Sequence, residues 1–114
     1  MQSEKLKDLV VDALDDLKAV EVNVLNVADL TAMADWMVVA SGTSNRHVKS
    51  LADKVSQTVK ESGIKPLGVE GTDDSGWVLL DFGDVILHVM LPATRAFYDL
   101  EKLWSVKPAE HESN

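Results

Sequence analysis

From the N-terminus, apolar residues first recur at helical spacing. Leu6, Leu9, Val10, Ala13, Leu14, Leu17 and Val20 fall three or four residues apart, which predicts an amphipathic helix packed on a sheet. Ser3 is placed to cap it with Glu4 in the first turn, and the opposite side, with Lys5, Asp8, Asp12, Asp15 and Asp16, reads as solvated surface. The period then changes. In residues 21–27, EVNVLNV, Val22, Val24 and Asn26 alternate with Asn23, Leu25 and Val27, the pattern of a strand. A short link at 29–33, compatible with a helical turn, leads to WMVVA at 36–40. That run has no polar alternation and suits a strand covered on both faces. The small-residue loop SGTSNRH at 41–47 opens a second helix, whose stripe is Val48, Leu51, Ala52, Val55 and Val59. Thr43 or Ser44 serves as its N-cap, and Gly63 as its stop.

The longest apolar stretch is GWVLLDFGDVILHVML at 76–91. Gly83 suits the first central position of a type II′ turn, so the segment reads as a tight β-hairpin. With Gly83 and Asp84 at the turn, Phe82 pairs with Val85, Asp81 with Ile86, Leu80 with Leu87, Leu79 with His88, Val78 with Val89 and Trp77 with Met90. One face then carries only Val78, Leu80, Phe82, Val85, Leu87 and Val89, and is core. The other carries Trp77, Leu79, Asp81, Ile86, His88 and Met90, an apolar surface with polar insertions that fits burial by a partner rather than by the chain's own core.

A short strand is expected near 67–69, and Pro92 suits the first turn of a third helix with Ala96, Phe97, Leu100, Leu103 and Trp104 on its apolar side. Residues 105–114 read as a disordered polar tail beyond a single domain spanning 1–104. The element order αββα(β)ββα predicts the α+β class, with a mixed sheet of about four to five strands and helices packed mainly on one face.

Composition narrows the function. With 114 residues, 46% of them hydrophobic, the chain can bury one core. No apolar run approaches the ~18–20 residues of a membrane span, and the charged start MQSEKLKDL has no secretory pattern, so cytoplasmic residence without membrane contact is expected. Without cysteine there is no disulfide framework, thiolate catalysis or Cys-based metal site. Nineteen acidic residues against eleven Lys plus Arg give a net charge of −8, which opposes direct nucleic-acid binding and eases encounter with a basic protein, although solubility alone also accounts for it.

Three arrangements bear on catalysis. The loop Ser41-Gly42-Thr43-Ser44 at a helix N-terminus suits an anion, as in nucleotidyltransferases, yet the alternating carboxylate pair those enzymes use to hold Mg²⁺ is missing. Asp73 and Asp74 are adjacent, and Asp81 and Asp84 sit three apart across a turn, so a helix-capping loop is the plainer reading. Asp81 and His88 are diagonal neighbours on the second hairpin face, but no Ser or Cys nucleophile joins them, which favours an oriented polar contact within an interface. Arg46 and His47 place cations at a helix N-terminus, where the dipole disfavours them; they are either functional or ordinary surface groups. No cofactor or metal site emerges.

Four runs, DWMVVASGTSNRHV at 35–48, GVEG at 68–71, WVLLDFGDVILHVM at 77–90 and RAFYDLEKLW at 95–104, together resemble the ribosomal silencing factors, also called the Iojap-related proteins. The resemblance runs from residue 35 to residue 104, and one departure is Trp36, where the family commonly has Tyr. It implies a nucleotidyltransferase-like fold without catalytic carboxylates. The implied function is non-enzymatic: binding to the large ribosomal subunit through its fourteenth protein, blocking small-subunit joining, and slowing translation under nutrient limitation or in stationary phase. An enzyme acting on nucleotides and a homodimeric adaptor are the alternatives. The expected partner-binding residues are Trp77, Leu79, Asp81, Ile86, His88 and Met90, joined by Arg95, Tyr98 and Lys102 from the last helix. Trp77 also fits sealing under a neighbouring helix, and Tyr98 and Trp104 fit a helix–sheet core. The free protein is expected to be a monomer or a weak homodimer that covers the same face.

Overall fold

The structure, a computed structural model, describes residues 2–71 and 76–98, with side chains through Arg95. The N-terminal stripe forms α1, Ser3–Asp16, burying Leu6, Val10, Ala13 and Leu14. Ser3 lies inside the helix instead of capping it: the cap position is Gln2, which makes no side-chain bond, while its carbonyl accepts from the Leu6 N–H at 3.0 Å. Leu17 and Val20, expected on the stripe, are each 37% exposed, because the helix stops at Asp16 and Lys18 turns the chain in a left-handed conformation with φ 58°.

Five strands follow around a second helix: β1 Val20–Asn26, β2 Trp36–Ser41, α2 Asn45–Glu61, β3 Gly68–Glu70, β4 Trp77–Asp81 and β5 Val85–Met90, before α3 Pro92–Tyr98. They form one sheet in the order β1-β2-β5-β4-β3. All neighbours are antiparallel except β2 and β5. The predicted α+β class and mixed sheet are therefore correct. The parallel pair is joined through α2, β3 and β4, which places β2 and β5 at the centre and makes β2 apolar on both sides. The edge strand β1 slips register between Val20 and Asn23, where Glu21 adopts φ 48°, and such a bulge discourages a further strand from pairing there.

The hairpin has the predicted register at every pair from Trp77↔Met90 to Asp81↔Ile86. The Phe82 N–H closes it on the Val85 carbonyl at 2.9 Å. Gly83 takes φ 87°, the conformation that makes glycine the natural residue there.

Helices α1 and α2 pack on each other and on one sheet face. Between them lies the main core, in which Val10, Leu14, Leu51, Val55, Leu80 and Leu87 are at most 1% exposed. The hairpin's all-apolar face belongs entirely to this core. Trp36 flanks it, with the Lys7 ammonium 4.9 Å from its ring centroid. Among the described residues no helix is long and apolar enough to cross a membrane.

Candidate functional site

The second sheet face has a different cover. Met37 and Val39 of β2 share it with Ile86, His88 and Met90 of β5 and Trp77, Leu79 and Asp81 of β4, as the pairings and strand alternation require. No long helix lies on it among the described residues; instead the segment 27–35 folds over one part. There Val27 and Ala34 join Met37, Val39 and Met90 in a second cluster, with Leu25, Leu30, Trp77 and Ile86 packed alongside. This segment is a series of turns rather than a helix. Asn26 Oδ1 accepts from the Ala28 N–H at 3.1 Å and Thr31 Oγ1 from the Met33 N–H at 3.1 Å, side-chain bonds that compete with helical ones. Met33, at its outer tip, is 74% exposed.

The expected site residues separate into layers. Trp77, Leu79, Asp81 and Ile86 are half-buried and reach the surface. His88 and Met90, expected on an open face, are buried by the chain itself, at 6% and 0% exposure. Arg95 is also buried: its Nη1 donates to Ser41 Oγ at 2.9 Å, tying α3 to the end of β2. Tyr98 ends α3 with its side chain outside the described residues, and Lys102 and Trp104 lie outside them altogether.

The diagonal Asp81–His88 contact is not made. Asp81 Oδ1 accepts from the Gly83 N–H at 2.8 Å and so fastens the hairpin turn. The indole Nε1–H of Trp77 donates to His88 Nδ1 at 3.0 Å, with the rings tilted by 42° and their centroids 5.7 Å apart. Indole nitrogen only donates, so Nδ1 carries no proton. Burial pushes the His88 imidazole down to about 4, which keeps it neutral.

The loop at the start of α2 is internally bonded. Ser44 Oγ accepts from the His47 N–H at 3.1 Å, which settles the cap on Ser44. The Thr43 N–H donates to His47 Nδ1 at 2.9 Å, and His47 Nε2 donates to the Leu17 carbonyl at 2.8 Å, so the imidazole brackets the end of α1 to the start of α2. His47 is thereby a structural link, and two N–H groups that an anion would use already have acceptors. Gly42 is required by close approach: a Cβ there would lie 2.8 Å from Val48 N. Among the described residues no group of three or more His, Cys, Asp or Glu is arranged to hold a metal ion.

What the sequence reading missed is the cover made by Val27, Leu30 and Ala34. A link whose only polar residues are Asp29, Thr31 and Asp35, next to a strand apolar on both sides, was the available signal.

Comparison with known proteins agrees with this architecture. The family described as "Ribosomal silencing factor during starvation" matches residues 1–114. A Chromobacterium violaceum protein named ribosomal silencing factor RsfS is 44% identical over 104 residues, covering 91% of this chain and 85% of its own. A crystal structure of a protein from the same organism superposes with a TM-score of 0.89 at 44% identity, covering 95% of this chain and 91% of that one. The mouse protein "Mitochondrial assembly of ribosomal large subunit protein 1" is 33% identical over 103 residues, 88% of this chain but 45% of its own length. With the whole chain matched and the Chromobacterium relative covered over 85% of its length, this protein belongs to the ribosomal silencing factor family of translation regulators.

Proposed function

We propose that the chain represses translation by docking on the large ribosomal subunit through that subunit's fourteenth protein and, by its bulk, keeping the small subunit from joining when nutrients are short. The family supports the general role, and the name of the mouse relative points to the large subunit. The observation that carries the reading is the second sheet face: one side of the sheet is sealed by α1 and α2, while the other presents Trp77, Leu79, Asp81 and Ile86 half-exposed on a rigid hairpin. A rigid aromatic anchor with apolar neighbours is what a central hot spot requires. A total interface of about 1,200–2,000 Å² suffices for stable binding.

In this reading Trp77, Leu79, Asp81 and Ile86 make the contact, His88, Met90 and Arg95 support it from beneath, and Tyr98 and Lys102 extend it along the last helix. The protein acts in the cytoplasm, without catalysis or cofactor, and touches little nucleic acid directly because of its charge of −8. When free it is a monomer or a weak homodimer using the same face. Sedimentation of a cell lysate with detection of this protein tests the reading. Co-migration with free large subunits is expected; a protein confined to the top of the gradient would refute it.

A further inference from the structure

We infer that His88 is a positioning residue for Trp77: it takes the indole N–H into the fold, fixes the ring in one orientation, and leaves an apolar ring as what a partner meets. The inference rests on the proposed docking face and adds to it the chemistry that the partner must supply.

The donor and acceptor sit on the two strands of one hairpin. Trp77 pairs with Met90, and Leu79 with His88, so Trp77 and His88 are diagonal neighbours on the same face. At that offset an aromatic side chain can reach its neighbour across the ladder. The bond is 3.0 Å from Nε1 to Nδ1, and the imidazole that accepts it is 6% exposed while the indole is half-buried. The acceptor is therefore fixed in the interior, and the donor lies at the surface. His88 cannot turn outward to serve a partner without giving up this burial.

Two consequences follow for recognition. A Trp at an interface ordinarily seeks an acceptor for its one N–H. Here that N–H is already donated internally, so the partner surface that receives Trp77 needs a flat apolar recess and no acceptor at the indole nitrogen. The second consequence is entropic. A ring already held loses less freedom on binding; an unheld side chain ordered at an interface weakens binding roughly 2- to 12-fold.

Paired substitutions test this. His88→Leu fills the volume but cannot accept, whereas His88→Asn sets an acceptor oxygen near the position of Nδ1. Nitrogen-15 NMR of the free protein reads the Trp77 indole N–H, and titration with purified large subunits reads affinity. In His88→Leu the indole signal should move upfield and exchange faster with solvent, and affinity should fall roughly 2- to 12-fold; His88→Asn should restore both. An indole signal unmoved in His88→Leu, or a moved signal with wild-type affinity, would overturn the inference. So would failure of His88→Asn to restore the signal. In the wild-type protein, with no variant needed, His88 Nδ1 should resonate as an unprotonated acceptor coupled to the Trp77 indole, and a protonated Nδ1 would contradict the bond. Failure of the docking face itself reads differently: Trp77→Ala would then bind like wild type while these spectra of the free protein stayed as expected.

Discussion

Burial of His88 should make the fold sensitive to acidification. Its imidazole is held at about 4 by burial against an ordinary 6.5, so the folded state disfavours the proton that the unfolded chain accepts. The sign follows directly: the contribution of neutral His88 is complete above about pH 6.5, falls as pH drops, and is gone below about pH 4. Integrated between about pH 7.5 and pH 4.5, the two values correspond to a loss of roughly 2–3 kcal/mol, a large share of the ~5–15 kcal/mol that stabilises a typical domain. Protonation would also place a hydrogen on the nitrogen that accepts from Trp77, so the contact between the rings is lost as the charge enters. Urea unfolding across this range, followed by far-UV circular dichroism, gives the stability at each pH. The comparison that isolates His88 is wild type minus His88→Leu, since the other titrating groups are common to both. This difference should change in the variant's favour by roughly 2–3 kcal/mol on going to the lower pH. A difference that stays flat would refute the buried neutral imidazole and the hydrogen bond assigned to it.

Other expectations concern the core, the loop before α2 and the absence of nucleotide chemistry. Leu80→Ala, at a residue 1% exposed, should cost about 2–5 kcal/mol in urea unfolding through lost burial and a cavity. Gly42→Ala should cost about 1–3 kcal/mol, because the new methyl would lie 2.8 Å from Val48 N and 2.9 Å from Val48 Cγ2, and α2 would have to move. Calorimetric titration with ATP or GTP and Mg²⁺ should show no binding; micromolar affinity abolished by changing Ser44 would restore the enzyme reading.

The hairpin was legible to the residue, because a two-residue turn at Gly83-Asp84 fixes the register and strand alternation then sorts the faces without any tertiary information. The main core was legible for the same reason: Val48, Leu51, Val55 and Val59 repeat at a helical period that only one face of α2 can bury. Harder to see was how far the second face would be covered. Met90 reads as open because its cover includes Val27 and Ala34 from turns at 27–35, which have no period, and Arg95 reads as partner-binding because its bond to Ser41 joins residues far apart in sequence. Asp81 offered a similar ambiguity. A carboxylate beside a glycine turn serves local hydrogen bonding as readily as a partner, and its bond to Gly83 emerges only from the folded hairpin. Polar residues whose partners are distant in sequence are the ones that pattern alone misplaces.

The most direct test of the docking and occlusion account is the joining of purified ribosomal subunits, followed by light scattering, with the order of addition varied. Wild-type protein added to large subunits before small subunits should prevent joining, and the same amount added to preformed ribosomes should leave them intact. Trp77→Ala, folded but lacking the anchor at the surface of the second face, should lose about 2–4 kcal/mol of binding, roughly 30- to 1,000-fold in affinity, and should not inhibit in either order. Inhibition by Trp77→Ala equal to wild type, or rapid splitting of preformed ribosomes at stoichiometric wild-type protein, would contradict passive occlusion by this face.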